Sequence, residues 1–462
     1  MAGAAQPVSS SERRPGAAPQ RGLSLLRRAV DVRPDEVRAM LLACLYFFFL
    51  LSSYFILRPI RDAMAVAAGV SKLPWLFAGT LIAMLVCNPL FSWLVVRFSV
   101  KRFIVIAYQF FAINLVAFYL LARILPGQGE PWLGRAFFVW TSVFNLFVVS
   151  IFWCFMADTF RSGQGKRLFG FIGVGGTLGA LIGSATTALL VPRIGASQLL
   201  LISAGLLELA VLIVLLFPRQ GARGDAQSAL RASLPIGGGI WSGITHLWRS
   251  PYLLGIAAFI VLFVLGTTVL YFEQTDVVGK YFSTRETRTQ ILARIDFAAQ
   301  FLTAMTQLFL TGRIIRRIGL PITLALMPAI SVLGFAVIGA TAFAASGVLA
   351  TFVVFSTLRR ATNIGLTNPA MEVLFTVVSR EDKYKAKSFI ETFIYRSGDQ
   401  LGAWAYGALA AAGLGLAGIA WLAVPMCIIF VWLGIWLGRQ EELRATAIQA
   451  LQRDAGVSPL PR

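Results

Sequence analysis

The chain has 462 residues, of which 57% are hydrophobic and only 13% are charged. Soluble globular domains carry about 25% charged residues, so the composition excludes an ordinary soluble enzyme and points to an all-α polytopic membrane protein. The formal net charge of +20 raises nucleic acid as a partner, but the surplus falls in short loops between apolar stretches, as the positive-inside rule requires. No basic aromatic module or zinc pattern accompanies it.

Residues 1–36 are small, polar and Pro-containing, without the apolar core of a signal peptide, and read as a disordered cytoplasmic tail. A membrane helix needs about 20 apolar residues. That ruler predicts spans at 37–56, 75–96, 104–121, 137–156, 168–191 and 199–217, then at 252–272, 291–310, 320–343, 348–378, 389–411 and 416–437. The expectation is therefore about 12 transmembrane helices in two six-helix bundles, 37–217 and 252–438. A cytoplasmic linker, 218–251, joins them, and a cytoplasmic tail covers 439–462. The tenth span is irregular, because Asn363, Gly365, Asn368 and Pro369 interrupt it. Broken helices are tolerated at membrane depth where they line a cavity.

Loop charges set the orientation. Arg97, Lys101 and Arg102, then Arg161, Lys166 and Arg167, then Arg313, Arg316 and Arg317, then Arg380, Lys383, Lys385 and Lys387 all fall on one side. Both termini are therefore expected in the cytoplasm, with the protein a multi-pass component of a bacterial inner membrane. The four cysteines lie in apolar segments without a C-x-x-C pair, and the single histidine, His246, lies in the linker. Neither a disulfide nor a metal site is expected. The Walker pattern fails around Gly163-Gln-Gly-Lys-Arg, so ATP hydrolysis by that route is excluded. No cofactor is expected, and the chain is not read as an enzyme.

The informative residues are charges inside the predicted spans. Each costs roughly 2.5–3.5 kcal/mol at a helix centre, so a chain that keeps several is expected to use them around a watery cavity. Arg58, Arg61 and Asp62 share one helical face, and Pro59 bends or ends that helix. The same segment reads equally well as a helix end at the outer interface with Arg58 paired to Asp62. Arg294 and Asp296 are 200° apart and each needs a partner on another helix. Asp296 shares a face with Gln300. Arg359 and Arg360 offer planar donors suited to carboxylate or phosphate, and Arg359 shares a face with Asn363. Glu391, Tyr395, Arg396 and Asp399 form one stripe on the eleventh span. Asp158, Arg97, Arg317 and Glu372 fit interfacial gate pairs. Gly175, Gly179 and Gly183 fall on one face of the fifth span and permit close helix packing. Glu208 and Glu273 are isolated.

The expected substrate-binding set is thus Arg58, Arg61, Arg294, Arg359, Arg360, Asn363, Tyr395 and Arg396. Asp62, Asp296, Glu391 and Asp399 are the expected counter-charges or proton carriers.

Local motifs carry a family resemblance. Gly312, Arg317 and Gly319 match the loop motif G-x-x-x-D-R-x-G of the major facilitator superfamily, with Arg97 and Ser99 at the equivalent places in the first half. Leu57-Arg-Pro-Ile-Arg-Asp-Ala-Met-Ala-Val resembles the L-R-D-T-K-D-x-x-V-V of the ATP/ADP antiporter family. Gly165-Lys-Arg-Leu-Phe-Gly-Phe-Ile-Gly resembles its A-K-K-F-Y-P-L-F-G, Lys383-Tyr-Lys-Ala-Lys-Ser its K-x-K-A-K-A, and Arg396-Ser-Gly its K-S-G. The family's lysines are Arg61 and Arg396 here, its glutamate before the fifth span is Gln164, and the second glycine of K-S-G-G is Asp399. The resemblance implies a divergent nucleotide translocase working by alternating access, with Arg61 and Arg396 holding an anion between the bundles. The expected partners are a small anionic solute, with nucleotides among the candidates, and the lipid bilayer; the protein is expected to be a monomer. Proton-coupled transport of a different solute, and a non-transporting membrane protein on the same fold, remain open as alternatives.

Overall fold

The computed structural model describes residues 36–97, 100–124, 130–160, 162–217, 250–309, 311–342, 347–378 and 390–454. Among these residues the protein is all-α. The helices are α1 (Val37–Ala68), α2 (Leu73–Arg97), α3 (Val100–Ile124), α4 (Glu130–Thr159) and α5 (Ser162–Leu216), then α6 (Pro251–Tyr281), α7 (Arg285–Phe309), α8 (Thr311–Thr341) and α9 (Val348–Thr362). A π-helical turn (Asn363–Thr367) leads into α10 (Asn368–Leu374), and a second (Ile390–Ile394) leads into α11 (Tyr395–Ala411) and α12 (Leu416–Asp454).

Eight stretches of the described residues are long and apolar enough to cross a membrane, against the twelve expected. Two physical causes account for the difference. Helix α5 comprises two helical segments that meet at Gly195, whose φ of 80° and ψ of 163° are not helical, so two apolar parts are joined in the single stretch Leu168–Leu216. Glycine alone takes that backbone conformation readily. Gly319, at φ 77°, makes the same kind of kink in α8. The remaining shortfall is α7, α9 with α10, and α11, which are short or carry the arginines and aspartates of interest.

Two boundaries move. Helix α1 continues through Pro59 to Ala68, so Arg58, Arg61 and Asp62 lie within a helix and not at its end. A proline removes one backbone hydrogen bond and crowds the preceding turn, yet packed neighbours tolerate it in membrane helices. Helix α12 continues past residue 438 to Asp454, where a tail was expected. Its extension is held by Arg444, whose guanidinium lies 4.4 Å from the centre of the Tyr252 ring.

The break after α9 follows from chemistry. Pro369 has no N–H to donate to the Gly365 carbonyl, and the chain there widens into the π-helical turn Asn363–Thr367 before α10. Gly365 lies so close to α7 that a Cβ would come within 2.8 Å of Thr306.

One large core is built entirely from α1–α5, around Tyr46, Phe144, Phe152 and Leu207. Two further cores are built entirely from α6–α12, around Phe259 and Phe430 and around Phe335 and Phe352. Two smaller clusters join the halves. Leu73, Leu76 and Phe138 pack with Phe272, Ala403 and Tyr406, while Ala63 and Val66 pack with Val278 and Leu292. Both lie at the end bearing Val70–Lys72, hereafter the Lys72 end. Gln290 there donates to the Ala188 carbonyl at 3.2 Å, and Trp75 meets Trp404 edge to face at 5.0 Å. Among the described residues no core cluster joins the halves at the opposite end.

Candidate solute site

Helices α1, α6, α7 and α9 bring a charged cluster together between the halves. Asp296 of α7 is 3% exposed. Its Oδ1 accepts from Nη1 of Arg360, and its Oδ2 faces Nε of Arg58 at 3.7 Å. That second oxygen is buried without a hydrogen bond, so Arg58 answers it through charge alone. Arg360 also donates from Nη2 to Gln274 Oε1 at 3.0 Å. Asp296 therefore stands between a cation of each half.

Beside it, Arg61 clamps Asp62, donating from Nε at 2.9 Å and from Nη2 at 2.8 Å to Oδ1. Tyr271 of α6 donates to the same oxygen at 3.0 Å, from the other half of the chain. Arg61 also lies 5.3 Å from the centre of the Phe138 ring, and Arg58 lies 5.6 Å from that of Phe55. The expected Arg58–Asp62 pair is thus replaced by two separate pairs, Arg61 with Asp62 and Arg58 with Asp296.

Arg359 is different. It is 3% exposed and is held only by neutral acceptors. Its Nε donates to Ser331 Oγ at 3.0 Å, its Nη1 and Nη2 to Thr267 Oγ1 at 3.1 and 3.2 Å, and its Nη2 to the Phe263 carbonyl at 3.3 Å. On α11, Arg396 Nη1 lies 3.9 Å from Asp399 Oδ2, and Thr268 Oγ1 donates to Asp399 Oδ1 at 3.5 Å. Tyr395 packs against Phe263. Asn363 opens the first π turn and is half-buried. Among the described residues five arginines (58, 61, 359, 360 and 396) thus stand in the region with three aspartates (62, 296 and 399), and Glu273 lies beside Gln274 as a fourth acidic group.

Several expected residues stand elsewhere. Arg294 is exposed on the far face of α7 and does not join the cluster, because its neighbour Asp296 takes the inward face. Glu391 is the second residue of the second π turn, and its side chain lies outside the described residues, as does that of Arg97 at the end of α2. Asp158, Arg317 and Glu372 are exposed near the ends of α4, of the first segment of α8 and of α10. Gln164, at the family's glutamate position, donates to Glu36 at 2.8 Å.

Sequence reasoning missed Tyr271, Gln274 and Thr267, which supply the polar atoms around the arginines. It left Glu273 undecided. Glu273 is fully buried, and neither carboxylate oxygen has a hydrogen-bond partner. Among the described residues no three His, Cys, Asp or Glu side chains are grouped to hold a metal ion.

Solved structures share the fold that carries these residues. A D-xylose–proton symporter superposes with a TM-score of 0.63 at 12% identity, covering 86% of this chain and 96% of that one. A nucleoside transporter gives 0.56 at 14% identity, covering 89% and 99%. A peptide transporter of the POT family gives 0.53 at 16% identity, covering 88% and 95%. The chain has the fold of these transporters. That likeness agrees with the all-α polytopic architecture expected from the sequence. No protein-family profile and no curated protein matches the chain.

Proposed function

We propose that the chain is a secondary active transporter that moves a small anionic solute across a bacterial inner membrane by alternating access. Twelve spans in two six-helix bundles, with both termini cytoplasmic, form the frame of this reading. The eight apolar stretches supply nine of the spans once α5 is divided at Gly195; α7, α9 with α10, and α11 supply the charged ones. The single observation that carries the reading is Asp296 between Arg58 of one bundle and Arg360 of the other. A charge cluster astride the bundle boundary changes partners when the bundles rock, and a solute can compete for those partners. The surplus of arginine makes that solute an anion.

Coupling to protons is the mode we infer ahead of nucleotide exchange. It is supported by the likeness to a proton symporter and by carboxyl groups within the helices, among them Asp62, Asp296, Asp399 and Glu273. The two arginines at the antiporter family's lysine positions, Arg61 and Arg396, both have an aspartate beside them, which weakens the case for a free triphosphate clamp. The joined Lys72 end is the closed side of the cycle, so the solute enters from the opposite end.

Uptake into proteoliposomes tests this. Labelled carboxylates, phosphate esters and ATP are offered with and without an imposed pH gradient, and with internal ADP as a separate arm. Uptake of an anion that follows the pH gradient and is lost in Arg360→Gln supports the proposal. ATP uptake that needs internal ADP would install nucleotide exchange in its place. No uptake by folded protein would sink transport.

A further inference from the structure

A cavity lies away from the candidate solute site, on the flank of α2, α3 and α4. Its volume is about 1030 Å3, at the top of the roughly 300–1,000 Å3 range of ligand pockets. Its walls are almost wholly aromatic and aliphatic, including Phe103, Phe111 and Phe147. Lys72 and Arg135 line its end near Val70–Lys72. Among the described residues no carboxylate pairs with either. Trp75 and Trp132 flank them and are largely exposed, and the Arg135 guanidinium lies 4.6 Å from the centre of the Trp132 ring.

Two N–H donors in this wall have nothing to bond. Nε of Arg135 and Nε1 of Trp140 are both buried without a partner. The Trp140 indole is held by stacking on Phe144 at 5.3 Å and on Phe137 at 5.9 Å. Buried N–H groups normally find an acceptor, and leaving one unmet costs about 1–3 kcal/mol. An acceptor-bearing ligand is therefore called for, and its remaining surface must be apolar.

The dimensions decide which ligand. Arg135 and Phe147 are both on α4, separated by roughly 18 Å of helix rise. One leaflet of the hydrocarbon core is about 15 Å thick. Tryptophans collect at the headgroup level, where Trp75 and Trp132 stand. Cations at the headgroup level, ester-depth donors and an acyl-length apolar wall follow in the order of a phospholipid's own parts.

We propose that this cavity binds one anionic phospholipid of the phosphatidylglycerol class from the leaflet at the Lys72 end. Its phosphate lies between Lys72 and Arg135, an ester oxygen accepts from Trp140, and an acyl chain runs along α4 towards Phe147. The site is separate from the solute cluster and touches only the α1–α5 half.

Native mass spectrometry of the full chain, released from mild detergent with added phosphatidylglycerol or phosphatidylethanolamine, tests this. The expected result is a retained phosphatidylglycerol adduct, at least tenfold stronger than phosphatidylethanolamine, that falls at least tenfold in Lys72→Gln/Arg135→Gln. Val143→Trp, which fills the cavity and keeps both cations, abolishes the adduct too, and it serves as the test if the charge variant unfolds. Absence of a lipid adduct on the wild type, equal retention of both lipids, or an adduct unchanged in the variants overturns the proposal.

Discussion

Tyr271 donates a 3.0 Å hydrogen bond to Asp62 across the boundary between the two halves of the chain. It is the one neutral donor on a carboxylate otherwise held by Arg61. A hydrogen bond to a charged group contributes about 1.5–3 kcal/mol. Tyr271→Phe removes it without disturbing the ring packing against Phe77. The fraction of molecules with the Lys72 end open is expected to rise about tenfold, the factor for roughly 1.4 kcal/mol. Spin labels at Ser71→Cys and Glu286→Cys in a background without the native cysteines would report it as a longer-distance population. An unchanged distance distribution would show that this bond does not hold the closure.

Asp296 neutralises Arg58 and Arg360 together. Asp296→Asn leaves two arginines facing each other and is expected to destabilise by about 3–5 kcal/mol, the usual loss on breaking a buried pair. Arg360→Gln added to it should recover part of that loss, since the partners are directly coupled. Thermal unfolding of the three variants in detergent measures the cycle, and strict additivity would argue against the pairing.

Arg294 and Arg360 make a contrast within the same expected set. Arg294 is exposed away from the cluster, so Arg294→Gln should leave uptake within about twofold of wild type, the usual surface range. Arg360→Gln should abolish it while the protein stays folded. Equal losses in both would move the solute path to the outer face of α7.

Glu273 has neither a cation nor a hydrogen-bond partner at its carboxylate oxygens. An ionised carboxylate in such a place costs several kcal/mol, so Glu273→Gln, which keeps the shape without the charge, should leave thermal stability unchanged or raised. If the wild type moves solute with a pH gradient and this variant moves it without regard to one, the proton passes through Glu273. A variant that remains gradient-driven assigns the proton to an aspartate.

The charges at membrane depth were legible because they are rare in such segments and expensive. The break in the tenth span was legible for the same kind of reason, since Pro369 cannot donate. Partner choice was not. Arg61 and Asp62 are neighbours in sequence, about 100° apart on an ideal helix, and the long Arg61 side chain reaches round to bond Asp62. Asp296 and Arg58 are far apart in sequence and meet only through helix packing. The spacing of Arg294 and Asp296 did establish opposite faces, but nothing local says which face turns inward. Tyr271 and Gln274 were invisible because polar residues at those positions fit an ordinary span. The twelve-span ruler ran ahead of the apolar count because two apolar parts are joined at Gly195 and because α7, α9 with α10, and α11 are short or carry charged residues.

Gly175, Gly179 and Gly183 lie directly on the main chain of α1. A Cβ added to them would come within 2.3 Å of the Cys44 carbonyl oxygen, 2.3 Å of that of Phe48 and 2.5 Å of that of Ser52. Gly179→Ala is therefore expected to force the helices apart at a cost of about 1–3 kcal/mol, read as a lower midpoint of thermal unfolding; an unchanged midpoint would mean that α1 yields easily.

That seam fixes how the molecule can bend. Two helices in backbone-to-backbone contact over about two turns, pinned further by Ser52 donating to the Gly179 carbonyl at 3.1 Å, have no room to slide past one another. They make a stiff spar, and Arg58 and Arg61 ride on it as fittings bolted near its tip. Whatever flexing occurs must be taken up at the joints between this spar and α6 or α7, so the arginines sweep as a unit and the aspartate across the gap, Asp296, is the part that finds itself left behind.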